Sequence, residues 1–306
     1  MSFAQRGAIL RHDGWPGNGR RSHSKPSQKT FSAKSNLARL IYIGGYGRSG
    51  STLFESLLTI DPSLVACGEI SRHVWRTKIR KTCTCGRSIK KCPVWQPFRH
   101  KKKRLIAWDH PRLTLALLDH VSKNFSIMVD SSKTSWGSGL VPFRLNKKLG
   151  RDFLLIHLVR DPRAVCWSTL RTKKQHDEPG SEFGRNVRTA FGWLGANLAC
   201  EAFRLLHPDR YLRVRYEDVV RTPETTLPAI FKAAGLQLVP VRQELATENR
   251  HQLHGNRVRH QPLVLGNLQE DVGWKAAMPR FSRWLTVTLT APLFLKYGFF
   301  NSNAGH

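Results

Sequence analysis

The most informative stretch of the sequence runs from residue 40 to residue 58 and reads LIYIGGYGRSGSTLFESLL. Its first five residues form an apolar run that ends in glycine, which is typical of a buried parallel β-strand. Helix formers follow from Thr52 to Leu58, and Asp61-Pro62 then ends the helix. The glycine-rich segment 45–52 therefore joins a strand to a helix. Such a loop predicts an anion-binding site, because its backbone N–H groups converge at a helix N-terminus.

The loop has the spacing of the nucleotide-binding motif G-x4-G-K-[ST], but Ser51 stands where the motif has lysine. In phosphoryl transfer from nucleoside triphosphates, that lysine and a magnesium ion neutralise the β- and γ-phosphates. The local cation here is Arg48 instead. A loop without lysine suits a 5′-phosphosulfate, which carries less charge than a triphosphate. The loop residues predicted to contact such a phosphosulfate are Gly47, Arg48, Ser49, Gly50, Ser51 and Thr52.

Beyond the loop, predicted strands alternate with predicted helices, which indicates a parallel sheet covered on both faces. The sequence therefore predicts an α/β fold, with a P-loop-like parallel β-sheet flanked by helices and ligands at the carboxyl ends of the strands. The predicted strands are 40–44, 64–66, 125–129, 153–159 and 211–214. The predicted helices beyond the first are 113–121, 162–172, 186–206, 223–234 and a buried C-terminal helix within 284–300.

A second anion anchor follows the strongest predicted strand. Arg160 leaves that strand beside the N-terminus of a predicted helix, and Ser168 lies two helical turns further on. An arginine in this position can clamp a phosphate bidentately. The competing interpretation pairs Arg160 with Asp161 or another carboxylate.

Together the two segments resemble the sulfotransferase superfamily. In that family the first loop holds the 5′-phosphosulfate of 3′-phosphoadenosine 5′-phosphosulfate (PAPS), and a strand-end arginine with a serine eight residues later holds the 3′-phosphate. Arg160 and Ser168 match that spacing. The resemblance extends over about residues 40–300 and implies a PAPS-dependent O-sulfotransferase that requires no metal.

Further matches carry the resemblance to the proposed chemistry. Cys67-Gly68-Glu69 is similar to a segment of the tyrosylprotein branch whose glutamate is the general base. Asp130-Ser131-Ser132-Lys133 resembles a bacterial signature whose lysine lies near the transferring sulfuryl group. The resemblance thus implies catalytic roles for Glu69, Arg48 and Lys133.

Two later segments resemble parts of the family that surround the donor. Arg215-Tyr216-Glu217-Asp218 matches a strand-end segment whose tyrosine, here Tyr216, lies near the nucleotide. His254-Gly255-Asn256 with Arg259 matches a segment that closes over the donor, and Asp271 and Trp274 follow it. The cytosolic steroid and phenol branch has a loop lysine and a mid-chain catalytic histidine, which this chain lacks. The chain is therefore closer to the tyrosylprotein-like and bacterial carbohydrate-type branches.

The composition is strongly basic, with a formal net charge of +29 over 306 residues. Residues 1–36 are rich in Arg, Ser, Gly and Lys and are expected to be disordered, and residues 37–306 are expected to form the sulfotransferase domain. Residues 70–110 are interpreted as a basic insertion, because residues 70–104 contain thirteen Lys or Arg and no acid. This charge favours solvated surface, an anionic glycan or glycolipid acceptor, or peripheral contact with an anionic membrane. No segment is expected to cross a bilayer, and a cytoplasmic location is expected.

Three cysteines fall within ten residues of the insertion: Cys83, Cys85 and Cys92. With His73 or His100 they can complete a four-ligand zinc site. The Cys-x-Cys spacing is tighter than the common Cys-x2-Cys, however, and no second pair follows. A disulfide is a further alternative, and plain packing is favoured over both.

Two other functions compete with sulfuryl transfer. A P-loop kinase or NTPase is disfavoured by Ser51 in place of lysine. A nucleic-acid-binding protein would use the basic run, with Trp75 and Trp95 stacking on bases. That interpretation is disfavoured because the run contains no recognisable DNA- or RNA-binding module.

Overall fold

The computed structural model describes residues 39–75, 82–98, 109–135, 137–175, 181–236 and 248–300. Five buried strands form one parallel sheet in the order β2-β3-β1-β4-β5. The strands are β1 (Leu40–Gly44), β2 (Leu64–Ala66), β3 (Ile127–Asp130), β4 (Phe153–Val159) and β5 (Tyr211–Arg215). The predicted α/β fold class is thus confirmed.

Ten α-helices pack around this sheet or follow it in the described residues. They are α1 (Ser51–Leu58), α2 (Ile70–Trp75), α3 (His110–Val121), α4 (Val141–Leu149), α5 (Pro162–Gln175), α6 (Glu182–Leu206), α7 (Tyr216–Arg221), α8 (Pro223–Ala233), α9 (Trp274–Ala277) and α10 (Arg280–Lys296). None of them is long and apolar enough to cross a membrane.

The sheet is buried on both faces because successive side chains of each strand point to opposite sides. In β1, Ile41 and Ile43 belong to a core cluster shared with α1 and α8. Leu40 and Tyr42 belong to a second cluster on the other face, shared with α3 and the described part of the basic insertion. Because both faces of β1 are buried, its residues are apolar on both sides, and this apolar run is what identified the strand in the sequence.

The strand order positions the site. From β1 the chain first builds the β2–β3 side of the sheet and then returns to place β4 and β5 on the other side. The order therefore reverses between β1 and β4, and ligands of open α/β sheets bind in the crevice at the carboxyl ends of such a pair. The glycine-rich loop follows β1, and Arg160 follows β4. Both predicted anion anchors thus belong to this crevice.

Several predicted elements need correction. Helices α3 and α6 begin at His110 and Glu182 rather than at 113 and 186, and α5 ends at Gln175 rather than at 172. The third strand begins at Ile127 rather than at Phe125. The C-terminal helix is buried on one face only: Trp284 and Leu295 are more than half exposed, whereas Thr290 and Leu293 are buried. The predicted disordered tail at 1–36 and parts of the basic insertion (76–81 and 99–108) lie outside the described residues.

Candidate active site

The glycine-rich loop turns sharply because two of its glycines adopt backbone angles that other residues avoid. Gly45 has φ 110° and Gly50 has φ 84°. A Cβ atom on Gly45 would lie 2.4 Å from the carbonyl oxygen of Leu158, and one on Gly50 would lie 2.3 Å from the Tyr216 ring. Gly50 is also the N-cap of α1, and glycine offers no side chain to the N–H groups of the first turn. These N–H groups, together with the helix dipole, create an anion-binding position.

Hydroxyl groups line the same loop. Ser49, Ser51 and Thr52 are all buried. The hydroxyl oxygen of Ser49 makes no hydrogen bond to the described residues. Buried polar atoms are normally satisfied, so this hydroxyl fits a loop that completes its hydrogen bonds with a ligand.

Arg48 brings the cation into the loop. Its backbone adopts φ 68°, a left-handed conformation, and its side chain is half-buried. Burial lowers the pKa of the Arg48 guanidinium, and the positive charge of Arg72 lowers it further. Glu69 partly opposes this decrease, and Arg171 adds to it. The loop arginine therefore lies in a concentration of positive charge, which an anionic ligand would relieve.

The second anchor adjoins the first. Arg160 is buried, and its Nη1 donates a hydrogen bond of 2.9 Å to the carbonyl oxygen of Arg48. The guanidinium also lies 4.4 Å from the centre of the Tyr216 ring, which packs on Gly50. The two segments that the sequence analysis singled out, more than a hundred residues apart, thus meet in one place.

The competing interpretation, pairing of Arg160 with Asp161 or another carboxylate, is met in part: among the described residues Arg160 pairs with Asp271 and not with Asp161. Asp161 pairs instead with Arg163, whose Nη2 lies 2.7 Å from a carboxylate oxygen. The acid nearest to Arg160 is Asp271, at 3.9 Å, and this carboxylate also lies 3.3 Å from Arg171. Within the described part of the chain, the ion pair of Arg160 is therefore a long one, to a partly exposed acid. Its Nη2 also donates to the backbone carbonyl of Asp271 at 3.4 Å.

Helix α5 contributes the remaining part of the second anchor. Ser168 lies in this helix and is half-buried. Arg171 follows it by three residues and therefore lies on the same helix face. Arg171 was not predicted as a site residue from the sequence, although its position one turn after Ser168 was a usable signal.

Glu69 and Lys133 form a buried ion pair. Nζ of Lys133 lies 2.7 Å from one carboxylate oxygen of Glu69, and Nε of Arg72 contacts the other. Burial alone would raise the pKa of Glu69, but Lys133 and Arg72, with a smaller effect of His254, outweigh it and hold that pKa below its ordinary value. Glu69 is therefore ionised at neutral pH and lies among cations.

The segment that carries Lys133 is fastened to the end of β1. The N–H of Lys133 donates to the carbonyl of Ile43, and its own carbonyl accepts from the hydroxyl of Tyr42. The N–H of Thr134 donates to the carbonyl of Gly45. These bonds hold Lys133 at φ 70°, a second left-handed residue beside the loop.

Glu55 links three segments of the site through hydrogen bonds, and it was not predicted from the sequence. It is fully buried in α1 and accepts hydrogen bonds from Gly68 N, Ser131 Oγ and Gln252 Nε2 at 2.7, 2.7 and 2.8 Å. Burial raises its pKa to about 7, although the three hydrogen bonds oppose this rise. The carboxylate thereby joins the Glu69 turn, the Lys133 segment and residues 252–259, here called the closing segment, to one helix.

The closing segment lies over the start of α1. The N–H of Asn256 donates to the hydroxyl of Thr52 at 3.2 Å, and a Cβ on Gly255 would lie 3.1 Å from that same hydroxyl oxygen. Arg259 is buried and donates to the carbonyls of Gly255 and Asn256. In this structure Arg259 therefore braces the segment that covers the loop.

One alternative loses part of its support. Trp95 is 1% exposed, and its indole N–H donates to the carbonyl of His251. A side chain in the core cannot stack on nucleic-acid bases, so Trp95 does not serve the nucleic-acid interpretation. Nine of the thirteen Lys and Arg residues of the basic run lie outside the described residues.

Comparisons with known proteins give a family for this arrangement. A family profile described as "Sulfotransferase family" matches residues 41–240. The sulfotransferase domain of the Synechococcus PCC 7002 olefin synthase is 18% identical, with a TM-score of 0.54, over 89% of this chain and 98% of that chain. Mouse sulfotransferase SULT7A1, solved complexed with PAP, is 12% identical, with a TM-score of 0.49, over 85% of this chain and 89% of that chain. No curated protein matches the sequence.

Proposed function

The chain belongs to the sulfotransferase family, and we propose that it transfers a sulfuryl group from PAPS to a hydroxyl of an acceptor. The observation that carries the proposal is the contact of Arg160 with the Arg48 carbonyl at the carboxyl ends of β1 and β4. It joins two anion-binding positions in one crevice. A donor with a phosphate at each end of its nucleoside requires two such positions.

The glycine-rich loop binds the 5′-phosphosulfate in this proposal. The first N–H groups of α1 and the hydroxyls of Ser49, Ser51 and Thr52 supply donors to it, while Gly47 and Gly50 allow the backbone to approach closely. Arg48 supplies the compensating charge. These groups can bind the phosphosulfate without the loop lysine of the nucleotide-binding motif, in whose place this chain has Ser51.

Arg160 and Ser168 bind the 3′-phosphate. Arg160 is buried, and its ion pair with Asp271 is long. A phosphate in the place of the Asp271 carboxylate would give Arg160 a closer anionic partner. Arg171 is half exposed on the same face as Ser168 and adds a second cation. Tyr216, against Arg160 and Gly50, contributes a flat surface for the nucleotide, and Asn256 and Arg259 hold the segment that covers it.

The transfer is an in-line substitution at sulfur. The acceptor oxygen forms a bond to sulfur, the bond between sulfur and the phosphate oxygen breaks, and Glu69 takes the proton of the hydroxyl. General-base assistance of this kind contributes about 10²–10⁴-fold. Arg48 and Lys133 stabilise the charge that develops on the sulfuryl oxygens and on the departing phosphate. The proposed reaction requires no metal.

The resting ion pair fits this division of labour. Before the donor binds, Lys133 neutralises Glu69. A sulfuryl group beside Lys133 competes for that ammonium. Glu69 then loses a stabilising partner and becomes a stronger base as the substrates assemble.

The acceptor class is proposed from charge. A chain with a net charge of +29 attracts anionic molecules, so a carbohydrate, glycolipid or small natural product that carries a hydroxyl and a negative charge is the favoured acceptor. Contact with an anionic membrane surface would supply such a glycolipid. A cytoplasmic location is proposed because the spacing of the six cysteines shows no regular disulfide framework.

Donor binding tests the proposal directly. Adenosine 3′,5′-bisphosphate should bind more tightly than adenosine 5′-monophosphate in calorimetric titrations, because only the former reaches the second anchor. Arg160→Met should weaken the bisphosphate at least about tenfold while weakening the monophosphate much less. Arg144→Met, an exposed arginine on α4, is the matched control and should change neither affinity.

Two results would contradict this assignment. In one, the preference for the bisphosphate survives in Arg160→Met unchanged. In the other, ATP with Mg²⁺ binds the wild-type protein more tightly than either adenosine compound, which would favour the kinase interpretation. A transfer assay with radiolabelled PAPS against a panel of glycans, lipids and phenols then identifies the acceptor.

A further inference from the structure

Three cysteines and one histidine converge on the face of the molecule where the basic insertion packs. Sγ of Cys83, Cys85 and Cys92 and a ring nitrogen of His251 all lie within 4.8 Å of one another. Cys83, Cys92 and His251 are buried, and Cys85 is partly buried. We propose that these four side chains bind a structural zinc ion.

The spacing of the ligand atoms suits tetrahedral zinc. With Zn–S near 2.3 Å and Zn–N near 2.1 Å, ligand atoms at the corners of a tetrahedron lie about 3.6–3.8 Å apart. Nδ1 of His251 lies 3.3 Å from Sγ of Cys92 and 3.8 Å from Sγ of Cys83. Small side-chain rotations therefore suffice to bring the four atoms to bonding distance of one ion.

A tight turn presents the three thiols. Thr82 and Ser88 form an antiparallel bridge, and the N–H of Cys83 donates to the carbonyl of Arg87 at 2.9 Å. Gly86 takes φ 78° between them, which allows the chain to reverse directly after Cys85. The N–H of Cys92 donates to the carbonyl of Ser88. The short Cys-x-Cys spacing is accommodated by this turn.

The fourth ligand is fixed by bonds that do not depend on a metal. The N–H of His251 donates to the carbonyl of Ala66 at 2.7 Å, and Arg250 forms a parallel bridge with Ala66 at the end of β2. The carbonyl of His251 accepts from the indole of Trp95. His251 is thereby held against the thiols from both sides, which gives the preorganisation that a closed structural site requires.

The histidines that the sequence suggested are not the fourth ligand in this arrangement. His73 packs its ring on Trp95 and reaches the carbonyl of Phe98. His100 lies outside the described residues. His251 follows the last cysteine of the cluster by more than 150 residues, so only the fold could bring it to the thiols.

A site with four protein ligands has no open position for substrate, so its role is to hold chain segments together. It would clamp the insertion onto the segment that begins at Arg250. Thr84 adds to this clamp, because its hydroxyl donates to the carbonyl of Arg250 and accepts from the N–H of Gln252. Gln252 in turn holds Glu55, and Gly255 and Asn256 cover Thr52. The zinc site would therefore set the position of the segment that closes over the loop.

Metal analysis of the full-length protein tests the proposal. Protein purified without chelators should contain about one zinc ion per chain, and Cys92→Ser should lower that content at least about tenfold. Cys166→Ser, which changes a buried thiol in α5 away from the cluster, is the matched control and should retain the zinc.

A second measurement avoids dependence on a variant that fails to fold. Wild-type protein in which zinc is replaced by Co²⁺ should show the strong visible absorption of a tetrahedral thiolate site, and added zinc should abolish it. Removal of zinc by a chelator should lower the thermal midpoint, and zinc but not Mg²⁺ should restore it. The proposal is overturned if mass analysis finds a Cys83–Cys92 disulfide, or if the reduced protein takes up neither zinc nor cobalt.

Discussion

Arg48 and Lys133 share a backbone conformation that residues with side chains rarely adopt, with φ of 68° and 70°. In the described part of the chain they are the non-glycine residues with positive φ, and each costs roughly 1–2 kcal/mol relative to an ordinary conformation. Both are the cations proposed to stabilise the sulfuryl group. Strained backbone of this kind is found preferentially at ligand-binding sites, so its occurrence at both positions agrees with the proposed donor site.

Glu69 carries the first prediction at the residue scale. Glu69→Gln keeps the shape of the side chain but cannot accept a proton, so kcat should fall at least about 10²-fold while donor affinity changes little. Steady-state kinetics with saturating PAPS and calorimetric titration of adenosine 3′,5′-bisphosphate measure the two effects. Unchanged kcat would remove Glu69 from the mechanism.

The pH dependence of the rate provides the control for that prediction. Glu69 acts as a base only when ionised, so the rate falls as pH drops through its pKa. Lys133 and Arg72 hold that pKa below its ordinary value of about 4.3 in the free protein. Because kcat/KM reports the free enzyme, wild-type kcat/KM should be level from neutral pH down to about 4.5. In Lys133→Met the effect of burial remains while the strongest opposing charge is lost. The fall in the residual rate should therefore begin at higher pH.

Glu55 links a pKa to stability. Its pKa is about 7 in the folded protein and about 4.3 in the unfolded chain, so the folded state binds the proton more tightly. This carboxyl therefore contributes most to the free energy of unfolding below about pH 4.3, and the contribution falls as pH rises to about 7, by about 1.4 kcal/mol per pH unit. Glu55→Gln should reduce that slope in urea unfolding series. Glu224→Gln, at the exposed start of α8, should leave it unchanged.

A second buried carboxyl, Glu217, contributes to the same pH dependence of the free energy of unfolding. Burial also raises the pKa of Glu217 to about 7, although the N–H of Asp161 donates to it. Glu55→Gln should therefore flatten the slope without removing it. A slope equal to that of the wild type would show that Glu55 is ionised in the folded protein as readily as in the unfolded chain.

At the residue scale the sequence analysis identified charges but not the buried network that supports them. Arg48, Lys133, Glu69 and Arg160 stand out because each follows a strand or helix in a recognisable motif. Glu55 lies inside α1 between Phe54 and Ser56, where a carboxylate normally marks a solvent-facing position. Only the tertiary structure brings Gly68, Ser131 and Gln252 to it. These donors come from separate parts of the chain, so local sequence could not reveal them.

At the scale of elements, the glycine-rich loop packs against α7 at a position where the loop has no side chain, Gly50. The Tyr216 ring occupies the space that a Cβ of residue 50 would need, and Gly50 also has φ 84°. Gly50→Ala should therefore lower the free energy of unfolding by at least about 1 kcal/mol and weaken donor binding by displacing Tyr216. Urea unfolding and calorimetry measure the two effects.

The same loop provides the matched control. A Cβ on Gly47 meets no atom within 4 Å, and its φ lies outside the left-handed range. Gly47→Ala should therefore change the free energy of unfolding by less than about 0.5 kcal/mol. Equal destabilisation by the two substitutions would show that the contact with Tyr216 does not constrain the loop.

Strands were more predictable than their surroundings. β1, β2 and β4 begin and end as predicted because strands buried on both faces are nearly continuous apolar runs. The C-terminal helix was identified, but its burial was overestimated, since its exposed face also carries large apolar side chains such as Trp284. Composition cannot show which apolar face packs on the protein and which faces solvent.

At the scale of the whole molecule, the sequence predicted a parallel sheet with ligands at its carboxyl edge but not the order of the strands. The order places β1 beside β4, and this adjacency brings Arg160 to the Arg48 carbonyl. The position of His251 beside the three thiols depends likewise on the folded chain. Both relations join residues more than a hundred positions apart, which no local pattern encodes.

The central claim is that one crevice holds both ends of the donor, and a crystal structure with adenosine 3′,5′-bisphosphate tests it most directly. The account predicts the 5′-phosphate at the N–H groups of residues 47–52, the 3′-phosphate within hydrogen-bonding distance of Arg160 and Ser168, and the adenosine between them beside Tyr216. A nucleotide bound elsewhere, or a 3′-phosphate that contacts neither Arg160 nor Ser168, would contradict it.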